Sequence, residues 1–110
     1  MREAALAALA AVGVDDGHLA IAFVTPEQIA PLNEAHRGKR GPTDVLSFPI
    51  DGTDPVVVGP RELGDVVICR EHTTDVIEAV VHGVLHLCGY DHETDSGEML
   101  ELQDRIVASL

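Results

Sequence analysis

The chain has 110 residues, is 45% hydrophobic, and holds two Phe, one Tyr and no Trp. That is the size of one domain, which buries roughly 65% of its unfolded surface, and its core must be aliphatic. A formal net charge of −12 excludes broad, nonspecific binding to nucleic acid or anionic membranes, although "HRGKR" at 36–40 concentrates three of the seven basic side chains.

The opening "MREAALAALAAVGV" carries Glu3 and runs into "DDGH". It reads as an amphipathic helix from Arg2 to Val12 rather than a secretory signal. No run is long enough to span a membrane, so the expected location is cytoplasmic, without membrane association. "LAIAFV" (19–24) has strand length. Thr25, Pro26 and Gln28 form a capping-box start for a helix to His36. "RGKRGP" (37–42) is a loop. "DVLSFPI" (44–50) is a strand ended by Pro49, "DGTDP" a turn, "VVVG" a short strand, and "GDVVIC" (64–69) another strand. Asp75 and Glu78 cap a helix from Asp75 to Cys88, and Gly89 can take the left-handed conformation that ends it. A last helix begins near Thr94 or Asp95, with Met99, Leu100, Leu102, Ile106 and Val107 on one stripe. The order predicts a single α+β domain over 1–110, a small mixed sheet with packed helices. Cys69 and Cys88 form no CxxC pair and read as ordinary buried thiols.

The chemistry concentrates in "HGVLHLCGYDH" (82–92). With His82 at zero on the helix, His86 lies near ~40°. The branched and aliphatic residues from Val76 to Leu87 fill a broad arc on the other side. Two histidines at i and i+4 converge on one ion, and the turn at Gly89 lets His92 swing back as a third ligand. The H-x3-H-x5-H spacing is zincin-like and matches that of metzincin proteases. Neutral imidazoles suit zinc, one ion per chain. Three ligands leave a position for water, which marks a catalytic site. Cys88 points into the core. Glu78 reads as an exposed helical carboxylate, with a role beside the ligands as the alternative. Where proteases of this spacing carry a general-base Glu, this chain has Gly83, which weighs against peptide hydrolysis.

The segments "LNEAHRGKRGPTDVLSFP" (32–49), "LGDVVIC" (63–69) and "HGVLHLCGYDH" (82–92) resemble the YbeY family of bacterial endoribonucleases and rRNA maturation factors. The resemblance implies a zinc-dependent, single-strand-specific endoribonuclease acting in 16S rRNA 3′-end processing and ribosome quality control. It implies zinc on His82, His86 and His92, with His82 and His86 counted in the catalytic set, and it places the family's functional arginine at Arg37. Ser47 and Phe48 fall on the strand that would border the cleft. The implied partners are single-stranded RNA of the 16S rRNA precursor, the small ribosomal subunit and its proteins, and an assembly GTPase. Two departures stand out: no strand is found ahead of the first helix, and only twelve residues separate Cys69 from His82, so an intervening helix is shortened or absent. His36 stands where an aromatic is common.

Physically, phosphodiester cleavage needs an activated nucleophile and compensation for charge developing on phosphate. Zinc supplies the first and part of the second, and the planar donor fork of Arg37 supplies the rest. Lys39, Arg40 and Ser47 would contact the RNA backbone; the alternative for the basic loop is a solvated turn. No general base is evident. Asp91 is a candidate by position, or orients a ligand histidine. Asp44 and Asp65 read as turn or capping residues. Tyr90 packs, or stacks on a base, and Met99 packs beneath the site. The competing classes are a noncatalytic ribosome-assembly module with structural zinc, which a fourth protein ligand would favour, and a zinc peptidase.

Overall fold

A computed structural model describes residues 1–14, 17–51 and 61–110. The expected turn and short strand of 51–59 therefore lie almost entirely outside the described residues. The elements are α1 (Arg2–Ala11), β1 (His18–Val24), α2 (Pro26–Arg37), β2 (Val45–Pro49), β3 (Glu62–Cys69), a single 3-10 turn (Arg70–His72), α3 (Val76–Leu87) and α4 (Glu98–Ala108). Together they form the expected α+β arrangement of one small mixed sheet with packed helices. The sheet has strand order β1-β3-β2. β3 runs parallel to β1 and antiparallel to β2. The 3-10 turn is what stands in the short stretch between β3 and α3.

The side-chain alternation of the central strand divides the molecule into two layers. Leu63, Val66 and Ile68 of β3 and Val45 of β2 join Ala4, Ala5 and Ala8 of α1 and the apolar arc of α3 in the main core. Val67 and Cys69, with Leu46, face the other way and pack on Ile29 of α2. Leu63 and Val66 share a face because the β1–β3 register shifts between His18 and Leu19, which leaves Leu63 as an extra residue. Three alanines on α1 let that helix approach closely without long side chains. Each large aliphatic group buried this way contributes about 1.5–3 kcal/mol.

The caps follow the sequence. Thr25 Oγ1 accepts from the Gln28 amide, and the Gln28 side chain accepts from the Thr25 amide. Asp75 accepts from the Glu78 amide at the start of α3. The last helix corrects the expectation: it starts at Glu98, not at Thr94 or Asp95. The Asp95 carboxylate accepts from the amides of Gly97 and Met99, so Asp95 caps the helix from outside its first turn. The stripe also differs. Leu100 is exposed, and Gln103 takes the buried position between Met99 and Ile106. Asp65 stands inside β3, paired with Phe48, rather than at a strand start. Among the described residues no helix is long and apolar enough to cross a membrane.

Candidate metal centre

The i, i+4 spacing on α3 puts His82 and His86 side by side, and the chain after α3 returns His92 to them. The three ring centroids lie 4.7, 5.0 and 5.3 Å apart. One nitrogen from each ring falls within 4.8 Å of the other two, so the cluster could hold a metal ion. Among the described residues the cluster has these three members and no fourth. The return of His92 depends on Gly89, whose φ of +94° turns the chain where a residue with a Cβ would be strained.

Hydrogen bonds fix which nitrogens are free. His86 Nδ1 lies 2.9 Å from the Tyr90 carbonyl oxygen. A carbonyl can only accept, so Nδ1 carries the proton and Nε2 keeps its lone pair. His82 Nδ1 stands in the same relation to Gln103 Oε1, at 2.7 Å. The two bare Nε2 atoms then face each other at 3.1 Å. Two lone pairs at that distance repel unless a cation or a proton lies between them. Two nitrogens ligating one tetrahedral zinc at about 2.0–2.1 Å sit about 3.3 Å apart, so the donor set fits that ion. His92 lacks such a brace: its Nδ1 is buried and has no hydrogen-bond partner among the described residues.

Burial holds the His86 imidazole below its ordinary value of 6.5, and the neighbouring His82 adds to that; the Tyr90 carbonyl opposes it. A ring kept neutral at physiological pH is ready to ligate. Burial pushes the Cys88 thiol up, and Cys88 packs against the main core, in keeping with a thiol outside the ligand set. Glu78 is exposed. The Asp91 carboxylate accepts from the Glu93 amide and shapes the turn that carries His92.

Gly83 has a reason that has nothing to do with a missing carboxylate. It is buried, and a Cβ there would stand 2.5 Å from a Val66 methyl and 3.3 Å from Ser47 Oγ. Val66 and Ser47 are cross-strand partners of β3 and β2, so the helix rests on the sheet at this point. The Ser47 hydroxyl donates to the Gly83 carbonyl at 2.8 Å. A protease-type glutamate cannot be seated here without displacing Val66 or the helix.

The histidines open into a cleft of about 620 Å³ whose lining includes Arg37, Asp44, Ser47, Tyr90, Asp91 and Glu93. Arg37 ends α2, where Gly38 at φ +69° turns the chain away. Asn33, buried, donates to the Gly41 carbonyl at 2.9 Å and pins the loop beyond it. Arg37 and Ser47 thus reach the cleft with the three histidines. Lys39 and Arg40 sit on the exposed loop, outside its lining. His36 packs against Phe48 with ring centroids 4.4 Å apart and planes tilted by 40°. Tyr90 packs against the core, and Met99 is fully buried. Sequence reasoning missed Gln103 and Glu93. Gln103 had a signal, a polar residue at the i+4 place of the apolar stripe; Glu93 had none beyond adjacency to His92.

A half-buried three-histidine centre beside an arginine, on an α+β scaffold, defines the class. The family model described as Endoribonuclease YbeY matches residues 1–110. A relative from Sulfurihydrogenibium sp. (strain YO3AOP1), named Endoribonuclease YbeY, is 38% identical over 93% of this chain and 76% of its own length. One of the same name from Acinetobacter baylyi (strain ATCC 33305 / BD413 / ADP1) is 42% identical over 86% of this chain and 70% of its own. Among solved structures, the solution structure of TM1509 from Thermotoga maritima matches with a TM-score of 0.52 and 30% identity, over 96% of this chain and 75% of that one. The chain belongs to the YbeY family.

Proposed function

We propose that the chain is a zinc-dependent endoribonuclease that cuts single-stranded RNA, with residues 1–110 acting as one hydrolase domain. The observation that carries this is the pair of Nε2 atoms 3.1 Å apart in a cleft that also holds Arg37, in a chain of the Endoribonuclease YbeY family. His82, His86 and His92 would hold one ion. When bound, zinc supplies Lewis acidity to phosphate chemistry near neutral pH. The Gln103 and Tyr90 oxygens keep the His82 and His86 rings oriented and Nε2 free. Arg37 binds the phosphodiester and offsets the negative charge that grows on it. Ser47 keeps α3 on the sheet, so its contribution to RNA binding is secondary to that brace. Lys39 and Arg40 act outside the cleft, on flanking backbone phosphates. The family supports a role in 16S rRNA 3′-end maturation, where the small ribosomal subunit, its proteins and an assembly GTPase would be the partners. The setting would be the cytoplasm.

The test is metal analysis of the purified protein, then cleavage of a single-stranded oligoribonucleotide with and without chelator. Zinc near one equivalent and chelator-sensitive internal cuts are expected. Cleavage that persists after complete metal removal would overturn the reading. A casein assay with the same chelator control checks the peptidase alternative, which the seat of Gly83 disfavours.

A further inference from the structure

Apart from the metal ion proposed for the histidines, the lining of the cleft that would receive RNA carries more negative than positive charge. Among the described residues that line it, Arg37 is the single Lys or Arg, against the carboxylates of Asp44, Asp91 and Glu93. That one cation is already engaged. Arg37 Nη2 donates to Glu93 Oε1 at 2.9 Å, across fifty-six positions of sequence. The pair joins the end of α2 to the turn after α3, with Glu93 directly beside His92. Both side chains keep contact with solvent, at 32% and 56% exposure, so the pair is the easily broken kind. A phosphodiester can accept two parallel bonds from the guanidinium fork, where the recorded contact uses one of its nitrogens.

We propose that Glu93 is a substrate-displaced counter-ion. It holds Arg37 at the edge of the histidine cleft when no RNA is bound, and the phosphodiester of an incoming strand replaces its carboxylate on the guanidinium. This inference rests on the nuclease reading. Its consequence is selectivity: a neutral or weakly acidic ligand must compete with an internal carboxylate for the single guanidinium among the described residues of the cleft lining, and a phosphate diester with two acceptor oxygens does so best.

The test uses the full chain loaded with zinc. Glu93→Gln keeps the side-chain shape and removes the charge. KM for a short single-stranded oligoribonucleotide should fall about fivefold, with kcat within about twofold of the parent and zinc content unchanged. Affinity for an uncleavable 2′-O-methyl strand, read by fluorescence anisotropy, should rise by a similar factor. The same substitution should leave affinity unchanged in an Arg37→Ala background, since the carboxylate then has no guanidinium to occupy. An unchanged or raised KM overturns the proposal. So does an equal gain in the Arg37→Ala background, which would mean diffuse repulsion rather than competition for Arg37. Loss of zinc together with kcat also overturns it, since the pair would then be a brace for the His92 turn. Failure of the nuclease reading is separately visible: the parent protein itself would neither cut nor bind single-stranded RNA.

Discussion

His82 and His86 are held differently from His92. The first two stand one turn apart on a buried helix, and each Nδ1 meets an oxygen, from Gln103 or Tyr90. His92 stands on the turn shaped by Asp91, and its buried Nδ1 has no partner. Two arms of the centre are organised by the fold, and the third has its place from the turn alone. A donor set built this way lets a metal add order to the 89–97 segment, because among the three rings only His92 leaves its Nδ1 unpaired among the described residues.

That contrast can be broken most directly at the ligands. His82→Ala should weaken zinc binding on the order of a thousandfold and abolish the rise in Tm that zinc confers, because ligation and folding are coupled. His92→Ala should weaken it less. A His92 variant that loses more metal than the His82 variant, by chelator competition, reverses the proposed hierarchy. Next in size is the brace. Gln103→Leu keeps the buried position filled but removes the acceptor for His82 Nδ1, and should cost 10–100-fold in zinc affinity. Unchanged affinity would make Gln103 a packing residue.

A third test separates the two glycines. Gly83→Ala forces a Cβ to within 2.5 Å of Val66 and should destabilise the protein by about 2–3 kcal/mol in urea unfolding. Gly89→Ala meets open space and costs only its positive φ, about 1–2 kcal/mol. Equal losses would mean that Val66 gives way. The smallest effect is titration of the metal-free protein. His86 is held below 6.5 when folded, so the unfolded chain takes up the proton first. Stability from this group is therefore present above pH 6.5 and is lost as pH falls through the lower folded value. Urea midpoints of chelated protein should drop from pH 7 to 5; a flat profile would mean His86 is as solvated folded as unfolded.

The three described strands, the capping box of α2, the Asp75 cap of α3 and the three-histidine spacing were legible because each is local. Thr25 and Gln28 or His82 and His86 are neighbours by covalent helix geometry alone. The start of α4 was misplaced because Thr94 and Asp95 look like caps in isolation. The Asp95 carboxylate instead serves amides at 97 and 99, a choice that needs the turn from Gly89 to Gly97 in place. Leu100 and Gln103 traded their expected places because the helix stripe fixes a face only to within a residue, and docking of α4 against α3 decides the rest. Ser47 lies in the lining of the cleft, and its hydroxyl is used on the Gly83 carbonyl.

By itself, the sequence determined the helix that spaces two imidazoles, the glycine that lets a third return, and the family to which the chain belongs. Those depend on backbone periodicity and residue type over a few positions. Only the tertiary structure decided why position 83 must be glycine, that Gln103 orients His82, and that Arg37 is paired with Glu93. Each of those is a contact between elements distant in sequence, and it exists only once the helices have docked on the sheet and brought the groups within hydrogen-bonding or van der Waals reach.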